Sequence, residues 1–312
     1  MNMFIYLPMA GNSISIFLLL GLGGLVGFLS GLFGVGGGFL LTPLLIMFGI
    51  PPTVAAASDS NQIVAASASG TYAHYRLGNV DFKMGLVLFG GGVLGGCFGV
   101  QLVKILRSLG NADFVIKITY VVMLAIIGCY MFQESLRSLR KTAAPEDSSA
   151  VQKEKGPSLF AQIIMSLPFK MNFNKSGIQI SILVPLVLGG VVGILAAIMG
   201  GGGGFIMVPI MVYMLRMPMH VVVGTSLFQI YFTCLNVTVM QSYVNHTVDF
   251  ILALVLLIGS SIGAQIGAKI SKKLNADQLK ILLAIIIMVV MAKMLFELVL
   301  TPDLFLSYKG GH

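Results

Sequence analysis

Two glycine stretches, Gly34-Val35-Gly36-Gly37-Gly38 and Gly200-Gly201-Gly202-Gly203-Gly204, each lie between apolar segments, and the segments that follow them start at Phe39 and Phe205. Glycine costs a helix about 1 kcal/mol per residue against alanine, so clusters of this kind predict unwound backbone. A helix starting at such a break leaves its first N–H groups unpaired and its positive dipole end open. The chemistry this suits is the holding of an anion. Gly34, Gly36, Gly37, Gly38, Gly201, Gly202, Gly203 and Gly204 are therefore candidate backbone ligands. A tight hairpin between packed helices is the competing use of the same residues. Duplication of the whole arrangement favours binding.

A polar patch opens the next apolar segment of each half. It reads Ser58-Asp59-Ser60-Asn61-Gln62 in the first and Gly224-Thr225-Ser226 with Gln229 in the second. Hydroxyls and amides can hold an oxyanion without adding fixed charge. Ser60, Asn61, Gln62, Thr225, Ser226 and Gln229 join the candidate site on that ground. Asp59 is an acid inside an apolar segment and aligns with uncharged Thr225. Beside an anion it repels unless protonated, which makes it a candidate for proton coupling. The plainer alternative is a hydrated acid near the start of its helix. Arg76 ends the same segment, either as an anchor that snorkels to the membrane surface or as part of an electropositive vestibule. Asn236, Thr238 and Gln241 add a polar stripe to the second half alone.

The elements that must position these residues are membrane helices. The chain has 312 residues, 57% hydrophobic and only 10% charged, where a soluble chain carries about 25% charged residues. Apolar segments fall near 13–33, 35–50, 54–75, 84–104 and 113–134, then 178–199, 205–217, 219–245, 248–270 and 278–300. The expectation is an all-α polytopic membrane protein. Its domains are a first transmembrane repeat over 1–134, a cytoplasmic linker loop over 135–177 and a second transmembrane repeat over 178–312. An amphipathic surface helix is expected around 159–173.

The halves are copies. GLFGVGGGFLLTP (31–43) matches AIMGGGGGFIMVP (197–209), Pro52 falls on Pro218 and Ser60 on Ser226. After a two-residue insertion, NVDF (79–82) matches TVDF (247–250). Gly91, Gly95 and Gly99 then match Gly259, Gly263 and Gly267, and Gly23, Gly27 and Gly31 match Gly189, Gly193 and Ala197. Spacing by four gives a smooth helical ridge for close crossing in lipid.

The net charge of +8 reports topology. If all five segments of each half cross, fourteen of the basic residues gather on one face and four on the other; Lys293, inside a segment, is left out. If the short glycine-preceded segments are re-entrant, the split is ten against eight. The positive-inside rule favours the first arrangement, with inverted repeats and the central loop in the cytoplasm. No basic-aromatic stripe suggests nucleic acid. The sequence has neither an HExxH metal motif nor a GxxxxGK[ST] phosphate loop, and no catalytic His/Asp/Glu constellation. The expectation is a protein that is not an enzyme and needs no metal or cofactor. Its partners are the lipid bilayer and a small anion.

Taken together, residues 34–43 and 200–209, the proline turn before a short Ala/Val run, GTS (224–226) and IGAQIGAKI (262–270) resemble the sulfite exporter TauE/SafE family of bacterial membrane proteins. SDSN (58–61) departs from the family's GTS-like pattern. The resemblance implies secondary transport of a sulfur-containing oxyanion, such as sulfite or a sulfonate, across the bacterial cytoplasmic (inner) membrane. An anion channel, or a carrier for a non-sulfur small organic anion, is the alternative.

Overall fold

The backbone breaks at the glycine clusters, and helices restart one residue before each expected phenylalanine. The computed structural model describes residues 4–33, 37–142, 168–215, 217–271 and 285–296, so Gly34 and Gly36 lie outside the described residues. The first half runs β1 (Phe4–Leu7), β2 (Asn12–Ser15), α1 (Ile16–Phe33), α2 (Gly38–Met47), α3 (Pro52–Arg76), α4 (Phe82–Ser108) and α5 (Ala112–Thr142). The second runs β3 (Lys170–Phe173), β4 (Ile178–Ser181), α6 (Leu183–Met199), α7 (Gly204–Pro209) continued by a π turn (Ile210–Met214), α8 (Met219–Met240) continued by a π turn (Gln241–Asn245), and α9 (Phe250–Ser271). A last apolar helix, α10, spans Ile285–Phe296.

Among the described residues, four helical segments are long and apolar enough to cross a membrane: Phe82–Ser108, Ala112–Cys129, Val221–Asn245 and Phe250–Gly267. Outward faces fit lipid, with Leu94, Phe98, Ile126, Val187 and Ile262 exposed. The more polar α3 is kept inside, where Ser58, Asp59, Ser60, Gln62 and Ser67 are all buried.

The expectation of an all-helical chain needs correcting at two places. Each half begins with an antiparallel hairpin, β1–β2 and β3–β4, turning at Gly11 and Gly177, both at φ 67. The segment expected as a loop over 135–177 starts as helix, through Thr142, and closes with β3 and the hairpin turn at 174–177. Residues 170–173 are likewise strand, not the end of an amphipathic helix; 159–167 lie outside the described residues. Each hairpin docks on the opposite half. Met9 N donates to Asp249 at 3.0 Å, and Ser176 donates to Asp81 through both N and Oγ. These are the aspartates of the duplicated VDF, and they also cap the starts of α4 and α9 by accepting from Met84 N and Leu252 N.

The glycine ridges pack across the halves as well. Gly23 meets Leu256 and Gly27 meets Ser260, so α1 and α9 run parallel; Gly91 meets Leu186 and Gly95 meets Gly190, so α4 and α6 do the same. A Cβ at Gly27, Gly91 or Gly95 would land on partner backbone, which is why the crossings need glycine. The central pair α3 and α8 runs antiparallel, with His74 beside Gly224, Gly70 beside Leu227, and Ile63 beside Ile230 and Cys234. Exchanging the halves maps the two ridge crossings onto each other, since Gly189 meets Leu88, Gly193 meets Gly92, Gly259 meets Leu20 and Gly263 meets Gly24.

The insertion between the repeats resolves into two π turns. The starts of α2 and α7 are capped by Gly37 and Gly203, those of α3 and α8 by Pro51 and Pro218, and those of α4 and α9 by Asp81 and Asp249. The separation grows by one residue at each step, and one π turn lies within each step. A π turn closes i→i+5 and so absorbs one residue more than an α turn. This moves the sequence alignment by one position at the polar patch. Pro218 pairs with Pro51 and not Pro52, Asp59 with Ser226 and not Thr225, and Gln62 with Gln229. The paired bonds from Asp249 N to Ser58 Oγ and from Asp81 N to Thr225 Oγ1 show the same register.

Candidate anion site at the helix breaks

The two glycine stretches meet at the centre of the bundle. A Cβ on Gly38 would stand 2.8 Å from Gly201 Cα, and one on Gly201 would stand 3.2 Å from Phe39 N. Behind this crossing the Phe39 and Phe205 rings pack at 5.5 Å. Gly37 (φ 73), Gly202 (φ 67) and Gly203 (φ 68) hold left-handed backbone that side chains rarely adopt, and Gly204 opens α7. Neither α2 nor α7 is capped by a side chain. Leu40 N and Ile206 N bond back to Gly37 O and Gly203 O, and among the described residues no side chain accepts from the N–H groups before them, in the left-to-right-handed turn that forms anion-binding concavities.

Polar side chains of α3 divide into two groups. Ser60 Oγ donates to Gly200 O at 3.1 Å, and Thr42 Oγ1 lies 2.6 Å from Asp59 Oδ2 and 3.3 Å from Met199 O. Tyr120 also donates to Met199 O. First-half side chains therefore pin the entrance of the second glycine stretch. Thr42 and Tyr120 were missed in the sequence because each sits singly in an apolar run. Asp59 is wholly buried, its Oδ1 has no hydrogen-bond partner, and among the described residues no cation pairs with it.

Gln62 forms the second group. It is 0% exposed and neither amide atom has a partner. Its repeat mate Gln229 is equally buried; Nε2 donates to Thr233 Oγ1 at 2.9 Å while Oε1 is left unpaired. Thr71 and Thr238, related by the same register as Gln62 and Gln229, are a second unpartnered pair. A buried polar group without a partner costs about 1–3 kcal/mol, and here the cost is incurred twice by symmetry. Such groups, repeated in both halves, call for a partner outside the side chains around them, which a ligand or an ordered water would supply.

The remaining candidates are placed elsewhere. Asn61 is half-buried on α3. Thr225 accepts from Asp81 N, and Ser226 donates to Val223 O, so both are occupied in holding the start of α8. They sit near the α3–α4 turn, since Gly224 touches Asn79, and not at the glycine crossing.

A cavity of about 670 Å³ opens between α1, α3 and α9. Its polar lining includes Ser30, Ser69, His74, Arg76, Gln265 and Lys269. Arg76 lies over the Tyr72 ring at 6.0 Å, so it stands at the mouth and not at the glycines. Inward, the cavity reaches Ala66, one helical turn from Gln62 on the same face of α3. Its Ser30 wall abuts Gly37. A cleft with cations at its rim, an amide in its wall at Gln265 and another one turn beyond it at Gln62 can draw an anion in and still release it. Among the described residues no three His, Cys, Asp or Glu side chains gather as a metal group.

Comparison with known proteins agrees with this architecture. Residues 19–294 match the family described as sulfite exporter TauE/SafE. The chain is 27% identical over 254 residues to the probable membrane transporter protein YunE of Bacillus subtilis, covering 79% of this chain and 85% of that protein. YjnA of the same organism, also a probable membrane transporter protein, is 26% identical over 80% of this chain and 86% of its own length. Sulfite exporter TauE/SafE family protein 3 of Arabidopsis thaliana is 29% identical over 95 residues, 30% of this chain and 20% of that protein. No solved structure matches. With a family match over most of its length and a helical bundle of apolar spans, this chain is a membrane transporter of the TauE/SafE sulfite exporter family.

Proposed function

We propose that the protein is a secondary transporter that moves a sulfur oxyanion, sulfite or a sulfonate, across a bacterial cytoplasmic membrane. The observations that carry this reading are the meeting of Gly38 with Gly201 against the Ile63 side chain, the unpartnered Gln62 next to Ile63 on α3, and a cavity rimmed by Arg76 and Lys269 that reaches Ala66, one turn from Gln62. Neutral N–H donors suit a tetrahedral or pyramidal oxyanion. They also hold it weakly enough to let it go, which a buried cation would not. Titration calorimetry on the purified full chain tests the class of anion. Sulfite or methanesulfonate should bind more tightly than acetate. Equal or tighter acetate binding would favour a carrier for non-sulfur organic anions.

The repeats are inverted in this reading. Antiparallel crossing of the equivalent helices α3 and α8 supports it, since a two-fold that reverses a membrane helix lies in the membrane plane. The positive face, with Arg76, Lys269 and the central loop, is then cytoplasmic. Ser148→Cys in a background without native cysteines should react with an impermeant maleimide only from the cytoplasmic side. Reaction from outside would reverse the orientation.

Asp59 is the coupling acid in this account. It is wholly buried without a cation, and only one of its oxygens is hydrogen-bonded. Beside a bound anion a charged carboxylate would repel, so anion entry and protonation would go together. Asp59→Asn keeps the shape and the Thr42 contact but cannot exchange a proton. Its sulfite flux should lose its response to a pH gradient, while the wild type responds. A full pH response in the variant would return Asp59 to a structural role.

A further inference from the structure

The cavity beside Ser69 has a repeat-related counterpart, and that counterpart is shut. Ala66, Ser69, Gly70 and Ala73 of the open wall correspond to Thr233, Asn236, Val237 and Met240 of α8 in the register set by Gln62 and Gln229. Because α3 and α8 are antiparallel, the second set points to the opposite face of the bundle, between α4, α6 and α8. There Val100, Ala197 and Val237 form a buried cluster with Met240 and Val244 packed on it.

A hydrogen-bond network seals the cluster from that face. Gln241 Nε2 donates to Ala197 O at 3.0 Å. Asn245 Nδ2 donates to Gln241 Oε1 at 2.6 Å and to Val100 O at 3.4 Å, and Arg107 donates to Asn245 O. Three helices, α4, α6 and α8, are thereby tied through two amide side chains. Both amides lie in the π turn Gln241–Asn245, whereas the equivalent end of α3 is regular α-helix to Arg76. A single π turn inside a helix is rare and is found frequently at functional sites.

We propose that the Gln241–Asn245 network is the closed gate of a second access route between α4, α6 and α8, and that this route opens as the Ser69 cavity closes. The inference takes the transporter reading as its premise but not the identity of the anion. Alternation follows from the fold. Each route is walled by the same elements of opposite halves, and the central pair α3–α8 serves both, so a tilt that widens one narrows the other.

The chain carries its own reporter. Cys97 is half-buried beside Asn236, with Asn236 Nδ2 at 3.7 Å from its Sγ, and is the counterpart of the cavity-lining Gln265. In the full chain with Cys129 and Cys234 replaced by serine, an impermeant maleimide is applied in proteoliposomes from the Arg107 face. Gln241→Ala/Asn245→Ala should label Cys97 roughly tenfold faster, the change expected when one or two buried hydrogen bonds specific to one state are removed. In the same double variant, Ser69→Cys, in a chain without native cysteines, should label correspondingly more slowly from the Arg76 face. An unchanged Cys97 rate would mean that Thr233, Val237 and Met240 close the groove by bulk alone, and would overturn the gate. Faster labelling at both positions would show a loosened bundle and overturn it equally. Opposed changes in a protein that moves no anion would keep the gate and sink the transport reading instead.

Discussion

Gly38→Val is expected to abolish transport while leaving a folded protein in the membrane. The new Cβ would stand 2.8 Å from Gly201 Cα and on top of the Ile63 side chain. Ile63 can swing aside; the Gly201 backbone cannot. Overpacking of this kind costs about 1–3 kcal/mol, which a bundle held by two long glycine crossings survives. The geometric effect is more severe. Separating the two chain breaks by about 1 Å would move their N–H groups off the anion proposed to bridge them, and displacement of that size costs on the order of a hundredfold in rate. Gly21→Val is the control, because nothing lies within 4 Å of its added Cβ. Sulfite flux normalised to inserted protein, with gel filtration as the measure of folding, separates the outcomes. Near-normal flux in Gly38→Val would make the crossing a packing hairpin and nothing more.

Gln62→Leu should make the protein more stable and less active. Leucine keeps the volume while removing two buried polar atoms that have no partner in the ligand-free fold. Relief of that burial is worth about 1–3 kcal/mol and should raise the thermal midpoint in detergent. Loss of one hydrogen bond to a charged ligand, about 1.5–3 kcal/mol, should lower apparent anion affinity roughly ten- to hundredfold. Residues kept for function show this opposition of stability and activity. A lower midpoint with unchanged affinity would identify Gln62 as a packing residue. Gln229→Leu should act in the same direction but less strongly, since one of its amide atoms is already bonded to Thr233.

Much of this architecture is legible in the sequence, for a physical reason. Glycine at four-residue spacing and glycine in clusters have few uses in lipid, so Gly23, Gly27, Gly91 and Gly95 mark crossings and Gly37, Gly38 and Gly203 mark breaks. The short hairpins were not read because four-residue strands vanish into the apolar runs beside them. The duplicated ISI at 14–16 and 180–182 was the signal that could have shown them. The register at Asp59 was off by one because an inserted residue absorbed by a π turn leaves no glycine, proline or charge to mark its place. Thr225 and Ser226 resemble ligands by type, yet the backbone of the adjoining turn and of their own helix claims them. Gln62 and Gln229 differ from them in having amide atoms without partners, a feature that only the three-dimensional fold displays.

The most direct test of the central claim is sulfite counterflow in liposomes holding the purified full chain. The account predicts saturable uptake of labelled sulfite, accelerated by unlabelled sulfite on the opposite side, because a site reached alternately from two routes must return loaded or empty. Non-saturating flux without trans-stimulation would indicate a channel. No flux of any sulfur oxyanion in either direction, with or without a pH gradient, would contradict the account.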